Sequence, residues 1–125
     1  MSTLVAQTIS NGTVSTSSEN VIQGSAKAWV NFNGIPTIAI RASYNISSIT
    51  RTATGRYTVN FTNAFADANY APVATGDFLG GASPIVNVSD YLYGGAPTTT
   101  SCLLYVRDNF GTGSDIAGIY VAIFR

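Results

Sequence analysis

Residues Arg56–Phe61 (RYTVNF) alternate between polar and apolar side chains, and this period of two constrains the fold more than any other feature of the chain. Successive side chains of an extended strand point to opposite faces, so Tyr57, Val59 and Phe61 share one face and Arg56, Thr58 and Asn60 the other. β-branched and aromatic runs recur along the sequence, whereas the 3.6-residue period of an amphipathic helix is nearly absent. Further strands are expected at Leu4–Ile9, Asn20–Gln23, Lys27–Phe32, Thr37–Ala42, Ser43–Ile49, Ala71–Phe78, Ile85–Val88, Ser101–Arg107 and Gly118–Phe124. Turn signals separate them, among them Asn11-Gly12, Asn33-Gly34, Thr54-Gly55 and Gly111-Thr112-Gly113. The expected fold is all-β: an antiparallel, jelly-roll-like β-sandwich of about eight to ten short strands. It should occupy residues 26–125, preceded by an N-terminal extended arm or pair of edge strands over residues 1–25. Helix is expected only as one irregular turn at Asn63–Asn69.

A chain of 125 residues suits one such domain with a single core. Only 10% of its residues are charged, against about 25% in ordinary soluble domains. Thirteen Ser, 15 Thr and 10 Asn supply polar surface instead, and six Lys and Arg balance six Asp and Glu. Without a cationic cluster, nucleic acid is not an expected partner. No apolar run approaches the roughly 20 residues of a membrane-spanning helix, so membrane insertion is not expected either. Residues 1–10 (MSTLVAQTIS) show neither the cationic nor the apolar region of a secretory signal, so assembly is expected in a host cytoplasm. Cys102 has no second cysteine to pair with and reads as a small buried apolar residue.

The chain has no histidine. That removes Ser-His-Asp and Cys-His nucleophiles, imidazole metal ligands and a histidine general base. The acids are Glu19, Asp67, Asp77, Asp90, Asp108 and Asp115, and no spacing among them suggests a catalytic pair. No enzymatic activity, cofactor or metal is expected. The loop Asp108–Asp115 is rich in oxygen ligands but departs from the D-x-[DN]-x-[DN]-G calcium pattern, so it reads as a glycine-rich hairpin turn.

Two groups of residues are candidates for binding. The last strand, Gly118–Phe124, is apolar on both faces, which demands a central position in the sandwich or cover from another subunit. Ile119, Val121 and Ile123, together with Trp29, are therefore candidates for a subunit interface. Phe78, Asp90, Tyr91 and Tyr93 stand among Gly80, Gly81, Gly94 and Gly95. Aromatic rings on glycine-supported loops offer apolar area and a hydroxyl at low entropic cost, so these four form a candidate receptor-contact loop. Arg41, Arg51 and Arg56 are close enough in sequence to line an anion site or a subunit contact, and salt bridges between subunits are the expected role.

Four ordered blocks carry a resemblance: Lys27–Phe32 (KAWVNF), Ile40–Ile49 (IRASYNISSI), Arg56–Phe61 (RYTVNF) and Asp67–Tyr70 (DANY), with Val121–Arg125 (VAIFR) closing the chain. Together they resemble a small β-domain found at the C-terminal end of tail fibre and tail-associated structural proteins of tailed bacteriophages. The resemblance covers residues 26–75 and the last strand. It implies a non-enzymatic virion component, a homotrimer that contacts other virion proteins and engages the host surface, with host glycan as a candidate ligand. Such domains follow a long stalk, whereas about 25 residues precede this one. A tail fibre, a tail tip, a capsid decoration protein and a small carbohydrate-binding module all remain open at this point.

Overall fold

The computed structural model describes residues 1–77, 84–88 and 95–125. The described residues from Ala26 onward form an antiparallel sandwich. Its front sheet has the order β4–β3–β10–β7, built from Ala39–Tyr44, Ala26–Asn33, Ile119–Phe124 and Ala71–Gly76. Its back sheet has the order β5–β6–β9–β8, built from Ile46–Ala53, Arg56–Phe61, Ser101–Arg107 and Ile85–Val88. The chain passes between the sheets after β4, β6, β7 and β9, and the first and last strands of the sandwich lie side by side at the centre of the front sheet.

Alternation fixes what faces inward. Ala28, Val30 and Phe32 of β3 and Ile119, Val121 and Ile123 of β10 meet Tyr57, Val59 and Phe61 of β6 and Cys102, Leu104 and Val106 of β9. Each fully buried aliphatic or aromatic side chain contributes about 1.5–3 kcal/mol. Phe32 meets Tyr57 edge to face at 5.4 Å between centroids, tying the sheets together at one end. At the other end Phe65 and Tyr70 close on Phe61, with centroids 4.8 and 5.7 Å away. Cys102 is fully buried, in accord with the sequence.

The triplet V-N-F occurs twice, once in each sheet. Val30-Asn31-Phe32 lies in the front sheet and Val59-Asn60-Phe61 in the back sheet. Each directs Val and Phe inward and Asn outward, onto opposite outer faces.

Asn45, at the crossover from β4 to β5, has a left-handed φ of 56°. Its side chain holds the bend by accepting from the Asn63 amide at 2.8 Å and donating to the carbonyls of Lys27 and Asn63. Such a conformation is best tolerated by Asn or Gly. Gly55, in the β5–β6 turn, has φ 71° and lies so close to the Val106 carbonyl that a Cβ there would collide with it.

The segment before the sandwich differs from the expected strand at Asn20–Gln23. Thr8–Ser10 (β1) and Ser15–Ser17 (β2) form a small hairpin, and Ser18–Gly24 form a short helix, α1. Ser17 caps the helix by accepting from the Asn20 amide at 3.2 Å, and Glu19 sits in its first turn. A local cap therefore outweighs the β-branched character of Val21 and Ile22. Asn63–Asn69, expected as a helical turn, contains bends and no helix.

Candidate functional site

The outer faces of the two sheets differ in what the sequence places on them. On the front sheet, one row across the four strands reads Tyr44, Trp29, Ala122 and Val73, and the next reads Ala42, Asn31, Tyr120 and Thr75. Small Ala122 lies between the larger Trp29 and Val73. The result is a depression of about 380 Å³ floored by β10 and walled by β3 and β7. Trp29 is 40% exposed and Val73 54% exposed.

The depression has one polar end. The Tyr120 hydroxyl donates to the Asp77 carboxylate at 2.9 Å, and the Asp77 amide donates to the Gly118 carbonyl at 2.9 Å. Gly118 lies so near the Asp77 carboxylate that any side chain there would displace it. The bond to Asp77, then partial burial, holds the Tyr120 phenol above its usual pKa. Arg41, at a register shift between β3 and β4, donates to the Ala117 carbonyl at 2.8 Å and to the Asn31 side chain at 3.3 Å. A face of this kind can hold an apolar side chain in the depression while Asn31, Arg41 and Tyr120 fix the polar groups beside it.

Three residues expected at a subunit interface are consumed inside the monomer. Ile119 and Ile123 are fully buried and Val121 nearly so, all facing the back sheet. The second apolar face of β10 belongs to Tyr120, Ala122 and Phe124. Because both parities of Gly118–Phe124 are apolar, the sequence does not say which points inward. Pairing with β3 decides it, setting Val121 opposite Val30 and Ala122 opposite Trp29. Trp29 does remain on the surface. Phe78, Asp90, Tyr91 and Tyr93, the candidate receptor-contact residues, lie outside the described residues.

The arginines do not converge. Arg41 is on the front face, while Arg56 lies over the Tyr105 ring, 5.6 Å from its centroid, on the back. Arg51 finds its carboxylate in its own chain: it pairs with Asp115 at 2.6 Å, contrary to the expected bridge between subunits. Asp115 also accepts from the Tyr57 hydroxyl at 2.6 Å and the Gly55 amide at 2.8 Å. These donors, Arg51 foremost, lower its pKa to about 2, and burial together with the Asp115 bond raises that of Tyr57. These bonds tie the β9–β10 connection to β5 and β6 of the back sheet. Asp108, the other acid of that loop, accepts from the amides of Phe110 and Thr112 at 2.9 and 2.8 Å, which gives the expected turn.

The N-terminal arm is the second unusual surface. Leu4, Val5, Ile9, Val14, Val21 and Ile22 are all exposed, Leu4 and Val5 at 92% and 87%, and α1 has no buried residue. Glu19 is the only charged side chain in residues 1–24. No helix among the described residues is long and apolar enough to cross a membrane. No family profile, curated protein or solved structure matches the chain.

Proposed function

We propose that this chain is a non-enzymatic structural protein of a tailed-phage virion, acting as a homotrimer in a tail fibre or tail tip that engages the host surface. The observation that carries this reading is the coexistence of two exposed apolar surfaces, the front face around Trp29 and the arm before β3, on a chain with 10% charged residues. Apolar surface of this extent in a sparsely charged protein marks an assembly interface. The ordered blocks described above supply the phage-tail context and the three-fold symmetry. The first three of them form β3 to β6, two strands of each sheet, with Trp29 in the first block.

Immunogold labelling of intact particles with antibody against the chain tests the reading. Label on tails is the expected result. Label on heads would instead identify a capsid decoration protein, and unlabelled particles would overturn a virion role. A second reading, a small carbohydrate-binding module, is favoured by the half-exposed Trp29 ring beside Asn31, Arg41 and Tyr120, since an aromatic face flanked by hydrogen-bonding groups suits a sugar. Saturable binding of host glycan, lost in Trp29→Ala, is its signature.

A further inference from the structure

We propose that the N-terminal arm of one copy of this chain, residues 1–24, docks on the outer face of the front sheet of a second copy and fills the depression between Trp29 and Val73. The proposal deepens the assembly part of the proposed function and is independent of where in a virion the assembly sits.

Three observations select this occupant. The first is chemical match. The depression is lined chiefly by Trp29, Val73, Ala122 and the ring of Tyr120, and the arm offers Leu4, Val5, Ile9 and Val14 with one charge in 24 residues. A hydroxyl-rich ligand would find few polar partners along that lining, whereas aliphatic side chains match it.

The second is size. A standard protein interface uses about 20–30 residues on each side, and the arm provides 24.

The third is connectivity. Ser25 alone separates α1 from β3, and Lys27 donates to the carbonyls of Ile22 and Ser25, fixing the helix end against the strand start. With the arm held in this way, Trp29 and Val73 of the same chain stay 40% and 54% exposed, and Leu4 and Val5 of the arm 92% and 87%. The face and the arm are therefore both open to a second copy.

Pairing two front faces directly would leave both arms exposed. One arm-on-face contact covers both surfaces. Such a contact is heterologous, joining different patches on the two partners, and heterologous contacts generate rings when the rotation closes. A closed ring of three is the homotrimer of the proposed function.

The test is complementation between two full-length variants, read by sedimentation velocity and by the emission of Trp29, the only tryptophan. Ala122→Arg fills the depression and keeps the arm. Leu4→Asp/Val5→Asp/Ile9→Asp alters the arm and keeps the face. Each alone should weaken self-association at least about thirty-fold. Mixed, they should form a heterodimer through the one intact arm and the one intact face, with the Trp29 emission shifted to the blue. Val73→Glu, on an exposed edge-strand position, replaces Ala122→Arg if that variant does not fold. Association surviving in the arm variant but lost in Ala122→Arg would show face-to-face pairing and overturn the proposal. Failure of the mixture to associate would overturn it as well. A monomeric wild-type chain would overturn both this inference and the self-association in the proposed function. Immunogold label absent from particles, with complementation intact, would remove the virion role alone.

Discussion

The two V-N-F triplets place an asparagine at matching positions on opposite outer faces. Both find side-chain partners in the monomer, Asn31 in Arg41 and Asn60 in Ser48 and Thr50, but the rows beside them differ. On the back sheet, Asn60 donates to Ser48 Oγ at 3.0 Å and Thr50 Oγ1 at 3.2 Å, Arg107 reaches Asn87 at 3.3 Å and Arg56 covers Tyr105. Polar side chains there find partners within the monomer. On the front sheet, Asn31 belongs to a row whose neighbour row is Tyr44, Trp29, Ala122 and Val73. One face is complete with its own side chains and solvent; the other presents apolar surface that water covers poorly. A sandwich needs only its inner faces to fold, and the proposed assembly rests on the outer face that departs from polar alternation.

The largest expected effect separates the two sides of a single strand. Ile123→Ala, one position from the depression but facing the core, should lower the free energy of unfolding by about 2–5 kcal/mol in urea titration. Ala122→Arg, beside it but facing outward, should change that quantity by less than about 1 kcal/mol while abolishing self-association. A large loss of fold stability in Ala122→Arg would erase the distinction between the faces.

Next in size is the joint at Asp115, which belongs to the monomer. Asp115→Asn should cost about 2 kcal/mol, measured by chemical denaturation, because the Tyr57 hydroxyl and Arg51 lose a charged acceptor. The Asp115 pKa falls on folding from 3.8 to about 2. The resulting stabilisation is present above pH ~4 and lost as pH drops towards 2, since the unfolded chain takes up the proton first. In Asp115→Asn that part of the acid limb should flatten, and the front face should associate as before at neutral pH.

A smaller effect is expected on the back face. Asn60→Ala removes hydrogen bonds to Ser48 and Thr50 and should cost about 0.5–1.5 kcal/mol of fold stability, with no change in sedimentation. The smallest concerns salt. An interface formed by apolar side chains is not screened, so raising NaCl from about 0.1 to 1 M should leave the dissociation constant within about two-fold or tighten it.

How much of this was legible in the sequence follows from what alternation can encode. Tyr57, Val59 and Phe61 alternate with polar residues, so their burial could be read directly. Gly118–Phe124 is apolar in both parities, so its inward face is set by pairing with β3, where Val121 lies opposite Val30. The joint at Asp115 was equally hidden: its partners Arg51, Tyr57 and Gly55 lie about 60 residues upstream, and a lone Asp in a glycine-rich loop looks like any turn former. α1 left a faint local signal in Ser17 and Glu19, which the β-branched Val21 and Ile22 obscured. The depression arises from Ala122 between Trp29 and Val73, a juxtaposition of three strands that no local window contains.

Quenching of Trp29 by iodide across a dilution series of the wild-type chain tests the central claim most directly. Sedimentation on the same samples reports which concentrations hold assembled protein. If the front face is covered by another copy, Trp29 should be shielded while the chain is assembled, and quenching should rise several-fold as dilution releases monomers. Equal quenching in assembled and dissociated samples would show that the front face stays open, and would contradict the account.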